Sequence, residues 1–230
     1  MTHEPVCGVR WLGRVDYLEA WRLQQALGQE RTEGLGHDTL LLLEHPPTYT
    51  IGCGGDEGAF LTPPASLEAT GAAVYYVDRG GRVTFHGPGQ LVGYPIIDLS
   101  EWRPDVHAYL RALEDVLIAA LADFGLAGGR KPGFTGVWVG DEKIGAIGVK
   151  VSRWVTTHGF ALNVTCDLGR FEHIVPCGLR GKGVTSIERA GGGSPPLTAV
   201  AEQVAEHFGR VFGRRMVWLP APVVAGALRA

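Results

Sequence analysis

The chain has 230 residues, 45% hydrophobic and 20% charged, enough for a single domain over residues 1–230 to bury a core without metals or disulfides. Its net charge of -3 is not the domain-wide excess of Lys and Arg that displaces counterions from phosphates, so no nucleic-acid partner is expected. Residues 1–10 carry Glu4, Pro5 and Gly8 where a signal peptide would be basic and then apolar, and no run nears the roughly 20 apolar residues of a membrane helix, so a cytoplasmic protein is expected.

In chain order, residues 16–29 read as a helix capped by Asp16, with Tyr17, Leu18, Trp21 and Leu27 on one side. Residues 39–43 read as a short buried strand stopped by Pro46 and Pro47, and the next 40 residues as loop-rich. Residues 74–77 and 83–85 read as strand, turn, strand, and a further strand begins at Leu91. Residues 105–124 give the clearest helical period, with apolar positions at 109, 110, 113, 116, 117, 120 and 121. Residues 136–139 and 143–151, separated by Gly140-Asp141-Glu142, read as a β-hairpin, and 154–164 as more strand. Thr198 is expected to cap a last helix with Val200, Val204, Phe208 and Val211 inward, before a short strand at 216–219. Antiparallel-looking strands interrupted by a few helices predict an α+β sheet domain. The 34 glycines are about twice the usual usage of roughly 7% and cluster between apolar runs, as suits a ligand tunnel built from loops.

Four cysteines, Cys7, Cys53, Cys166 and Cys177, form no CxxC pair and no zinc-like spacing with histidine, so free thiols and no metal are expected. Cys177 follows Pro176, which fixes the incoming backbone, and precedes Gly178, which lets another group approach the sulfur. Those neighbours suit a nucleophile on a turn, and they equally suit a buried cysteine packed as a small hydrophobe. Lys143 reads either as a solvated lysine beside a turn or, by strand alternation, as a side chain sharing the face of Gly145, Ile147, Val149 and Val151. An inward ammonium beside a thiol favours thiolate. Lowering a thiol pKa from about 8.5 to about 7 raises the ionised fraction roughly 16-fold, and lost nucleophilicity returns about fivefold of that. A catalytic Lys143 therefore has to move protons as well. The segment from Arg79 to Gln90 offers bare amides, two cations and His86 without a P-loop or dinucleotide pattern, and reads either as a binding loop or as a hairpin with a surface histidine.

Taken together, Glu44-His45-Pro46-Pro47 with Tyr49-Thr50-Ile51-Gly52, Arg79-Gly80-Gly81 through Phe85-His86-Gly87-Pro88-Gly89-Gln90-Leu91, Lys143-Ile144-Gly145-Ala146-Ile147-Gly148, His158-Gly159-Phe160-Ala161-Leu162-Asn163 and Pro176-Cys177-Gly178 resemble the octanoyl transferases of lipoate biosynthesis. The resemblance implies the fold of the biotin and lipoate protein ligases, a mixed, largely antiparallel sheet with packed helices. It implies Cys177 as the acyl-thioester nucleophile and Lys143 as the residue that activates it. It further implies an acyl pocket lined by Arg79, Gly80, Gly81, Arg82, Val83, Thr84, Phe85 and His86, by Ala146, Ile147 and Gly148, and by Gly159, Phe160 and Ala161. The implied partners are octanoyl acyl carrier protein, the lipoyl domains of 2-oxoacid dehydrogenase complexes and the glycine cleavage H protein, with no cofactor. Rival readings are an ATP-dependent lipoate protein ligase, a non-catalytic acyl-carrier-binding module and a Cys-His hydrolase using His86 or His158.

Overall fold

The computed structural model of the protein describes residues 5–55, 57–175 and 183–220. The chain opens with strand β1 (Val6–Arg14), helix α1 (Tyr17–Thr32) and strand β2 (Asp38–Glu44). Short strand β3 (Thr48–Ile51), helix α2 (Pro64–Glu68) and strands β4 (Ala73–Tyr76), β5 (Val83–His86) and β6 (Gln90–Ile96) follow. After helix α3 (Val106–Asp123) come β7 (Gly128–Lys131), β8 (Phe134–Val139), β9 (Glu142–Ser152) and β10 (Val155–Asn163), then helix α4 (Leu197–Phe212) and β11 (Arg215–Trp218).

Eight strands form one sheet in the order β11-β1-β2-β6-β10-β9-β8-β7. The β11, β1 and β2 pairings are parallel and the rest antiparallel, which is the expected α+β class. Leu40 and Leu42 of β2 face one core with α3 and α4, while Leu41 and Leu43 face another with α1. A strand covered on both sides has no reason to alternate, hence its unbroken apolar run. Asp105 caps α3 by accepting the Ala108 N–H at 3.0 Å. The cap of α4 is Pro196 and not Thr198, which lies inside the helix, and Gly213 closes it in the left-handed conformation at φ 61°.

The strands at 73–76 and 83–86 do not pair with each other. They flank β3 in a second, three-stranded sheet ordered β4-β3-β5, so the stretch read as loop-rich supplies its central strand. Tyr49, Ile51, Val83 and Phe85 turn outward into a third apolar cluster with Leu67 and Phe171. Their alternates Thr50, Thr84 and His86 turn the other way. The inward face of α1 also departs from expectation: Tyr17, Ala20, Gln24, Gly28 and Arg31 are buried, while Leu18, Trp21 and Leu27 are only partly covered. This polar stripe has partners. Arg31 binds Asp38 at 2.9 Å, and the Gln24 side-chain oxygen accepts the His158 N–H at 2.7 Å.

Candidate active site

A narrow cavity opens between β5 of the small sheet and β9 and β10 of the large one. Arg79, Gly81, Thr84 and His86 line it from one side, Ala146, Ile147, Gly148, Gly159, Phe160 and Ala161 from the other, and Tyr17, Tyr94 and His158 close it. Of the residues singled out in the sequence, Gly80, Arg82, Val83 and Phe85 stand off this wall. Val83 and Phe85 belong to the outward cluster by strand parity, and Arg82 is exposed. A second cavity continues past Thr84, Ala146 and Ala161 to Lys143, Asn163, Phe171 and Val184.

Lys143 is 6% exposed. Simple alternation places it with Gly145, Ile147, Val149 and Val151, and here the structure corrects the expectation. Val137 pairs with Gly145 and Trp138 with Lys143, so Ile144 is an extra residue, a β-bulge. Paired residues share a face, so the bulge puts Lys143 on the Trp138 side, opposite Gly145 and together with Ala146 and Gly148. Its amine stands 5.8 Å from the centre of the Trp138 ring. Its backbone N–H donates to Gly183 O and its carbonyl accepts from Thr185 N–H, both at 3.0 Å. Cys177 lies outside the described residues. On either side of that segment, Ile174 is bridged to Phe60 and Val184 to Lys143.

Hydrogen bonds join the two cavities. His86 Nδ1–H donates to Gln90 Oε1 at 2.8 Å, and Gln90 Nε2 donates to Phe85 O and, at 2.9 Å, to Asn163 Oδ1. Asn163 in turn donates to Thr185 O at 2.9 Å, one peptide from the bond to Lys143. Burial, assisted by His45 and Arg79, pushes the His86 pKa well below the usual imidazole range, so the ring is neutral near pH 7. His86 is therefore enclosed and bolted in place, unlike the surface histidine of a plain hairpin. His158 is also held neutral by burial, against the pull of Asp78. Its Nε2–H donates to Asp78 at 2.7 Å, and Asp78 also accepts from Lys150 at 2.5 Å. The backbone of His158 is left-handed, at φ 57° in mid-strand, a conformation that needs support from its surroundings.

Arg79 is 7% exposed and turns inward: its guanidinium donates to Thr50 O at 2.8 Å and to Thr50 Oγ1 at 2.9 Å. It pins the loop between β4 and β5 to the central strand β3. Desolvation pushes the Cys166 thiol up to about 12 and the Cys7 thiol higher still, so neither is a nucleophile at neutral pH. Tyr17 and Tyr94 are parts of the site that sequence reasoning did not assign to it, and Gln90 and Asn163, though within the quoted motifs, had no role assigned. Their polar groups on apolar strands and on a helix face were the available signal.

Residues 16–209 match the model of the lipoyl protein ligase A/B catalytic domain. The chain belongs to the lipoyl protein ligase A/B catalytic domain family. Among relatives, it is 51% identical over 221 residues to a protein of Solibacter usitatus named octanoyltransferase, covering 96% of this chain and 99% of that one. It is 54% identical over 202 residues to an octanoyltransferase of Gloeobacter violaceus, covering 87% and 88%. Among solved structures, a bi-partite lipoate protein ligase and its E2 lipoyl domain from Thermoplasma acidophilum superposes with a TM-score of 0.73 at 13% identity, covering 95% of this chain and 89% of that one. The biotin protein ligase of Aquifex aeolicus gives 0.51 at 13% identity, covering 89% and 68%. At such identities the shared property is the fold of this ligase family, a mixed sheet with packed helices.

Proposed function

We propose that this family member transfers an octanoyl or lipoyl group from acyl carrier protein to the side-chain amine of a lysine on lipoyl domains, as one catalytic domain in the cytoplasm and without cofactor. The observation that carries the reading is the enclosed Lys143 amine at the head of a slot between two sheets, in a chain about half identical to proteins named octanoyltransferase. In this reading the Cys177 thiolate attacks the thioester carbonyl, and the Lys143 ammonium protonates the departing carrier thiolate. The acceptor amine then attacks the acyl enzyme, Lys143 takes its surplus proton, and an amide forms as the Cys177 thiolate leaves. Thioester to amide is downhill, so no nucleotide is consumed. The acyl chain lies along Ala146–Gly148 and Gly159–Ala161, with Arg79, Gly81, Thr84 and His86 as the opposite wall.

The test is intact-protein mass spectrometry after mixing the protein with octanoyl acyl carrier protein in the absence of ATP, for wild type and Cys177→Ser. A hydroxylamine-labile adduct on wild type alone, passed on to an added lipoyl domain, is the expected result. Acylation that appears only with ATP and free acid would replace the transferase by a ligase and leave Cys177 structural.

A further inference from the structure

Gly136 on β8 stands at φ +119°. A Cβ there would lie 2.6 Å from Cε of Lys143, 3.1 Å from its Nζ and 2.5 Å from the Gly145 carbonyl oxygen. The lysine therefore rests on the bare backbone of this residue. The Gly136 N–H in turn donates to Oε1 of Glu114 at 2.9 Å. Glu114 is fully enclosed on α3 among Leu113, Val116 and Leu117. A carboxylate in that position is costly unless paired, and its Oε2 accepts from Arg111 at 2.6 Å and Arg130 at 2.7 Å. One buried carboxylate thus carries the position of α3 through to the peptide beneath the lysine.

We infer that Gly136 and Glu114 are positioning residues for Lys143, which set where its amine stands at the head of the cavity. The inference rests on the catalytic reading of Lys143. The bulge at Ile144 turns the lysine to the cavity face, Trp138 lies beside the amine, and Gly136 leaves room for the last two atoms of the side chain. Any side chain at 136 occupies that room, and misplacing a reacting group by about 1 Å costs on the order of a hundredfold in rate.

The test is a double-mutant cycle on single-turnover acylation by octanoyl acyl carrier protein, using wild type, G136A, K143A and the pair. It runs beside pH-dependent competitive labelling of the Lys143 amine in wild type and G136A. The expected result is that G136A slows acylation about tenfold or more with KM changed less than about twofold, yet costs less than about twofold in the K143A background. The labelling midpoint of Lys143 moves with it. Equal losses in both backgrounds, or a folded G136A with wild-type rate and midpoint, would overturn the inference. If G136A does not fold, E114Q, which keeps an acceptor for the Gly136 N–H but releases the two arginines, is carried through the same cycle with the same two outcomes. If wild type takes up no acyl group, it is the transferase reading that fails, and the labelling midpoint alone decides the positioning.

Discussion

His45 is wholly enclosed and bonded through both ring nitrogens: Nδ1–H donates to Val15 O at 2.6 Å, and Nε2 accepts from the Tyr94 hydroxyl at 2.8 Å. Burial lowers its pKa to about 4. A base whose pKa falls from about 6.5 on folding binds fewer protons folded than unfolded between those values. Stability from this group is therefore complete above about pH 6.5 and is lost as pH falls from there toward 4. Between pH 7 and pH 5 the loss amounts to about 2 kcal/mol. Urea unfolding at the two values, for wild type and H45Q, is expected to show the variant losing less stability than wild type by about that amount. Identical losses would mean that His45 is charged in the fold.

Among the elements, α1 is the one whose packing defies the usual apolar stripe. Its Gln24 accepts the N–H of His158, a buried group on a left-handed backbone that strand pairing does not serve. Gln24→Ala leaves that donor stranded and is expected to cost about 1–3 kcal/mol, read as a lower urea midpoint at unchanged slope. A loss under about 0.5 kcal/mol would show that the helix is seated by its apolar neighbours alone. The same element explains what the sequence conveyed and what it did not. Helix α3 was legible because one continuous apolar stripe meets one apolar core, and the β8–β9 hairpin because its turn is local. The inward face of α1 was not legible, because Gln24 answers a group on β10 and Arg31 answers Glu101, both far along the chain, as well as Asp38 at the start of β2. Nor was the true face of Lys143, since alternation counts residues on one strand while the bulge at Ile144 exists only in the pairing with β8. The small sheet was obscured for the same reason: β3 enters between β4 and β5, which lie next to each other in sequence.

Across the whole molecule, the gap between the two sheets sets what the cavity admits. Thr84, Ala146 and Ala161 border both the Lys143 end and the far end, and Ala146 and Ala161 face each other across β9 and β10. From Ala146 to Gly148 the strand advances about 7 Å. An eight-carbon chain extends about 9 Å, taking the per-bond advance of an extended backbone. An acyl group carried near Lys143 therefore has to pass this waist before its end reaches Tyr17 and His158. Ala146→Val adds two methyl groups at the waist and leaves Lys143 and its bulge untouched. On a scale where one methylene in a pocket shifts discrimination by roughly 10–200-fold, octanoyl transfer is expected to fall by at least about tenfold relative to butanoyl transfer. The measurement is kcat/KM for the two acyl carrier thioesters on wild type and variant. A chain that follows this path makes the substitution selective against the longer acyl group. Equal losses on both substrates would mean that the acyl group never passes the waist and that the far cavity, for all its enclosure, lies off the reaction path.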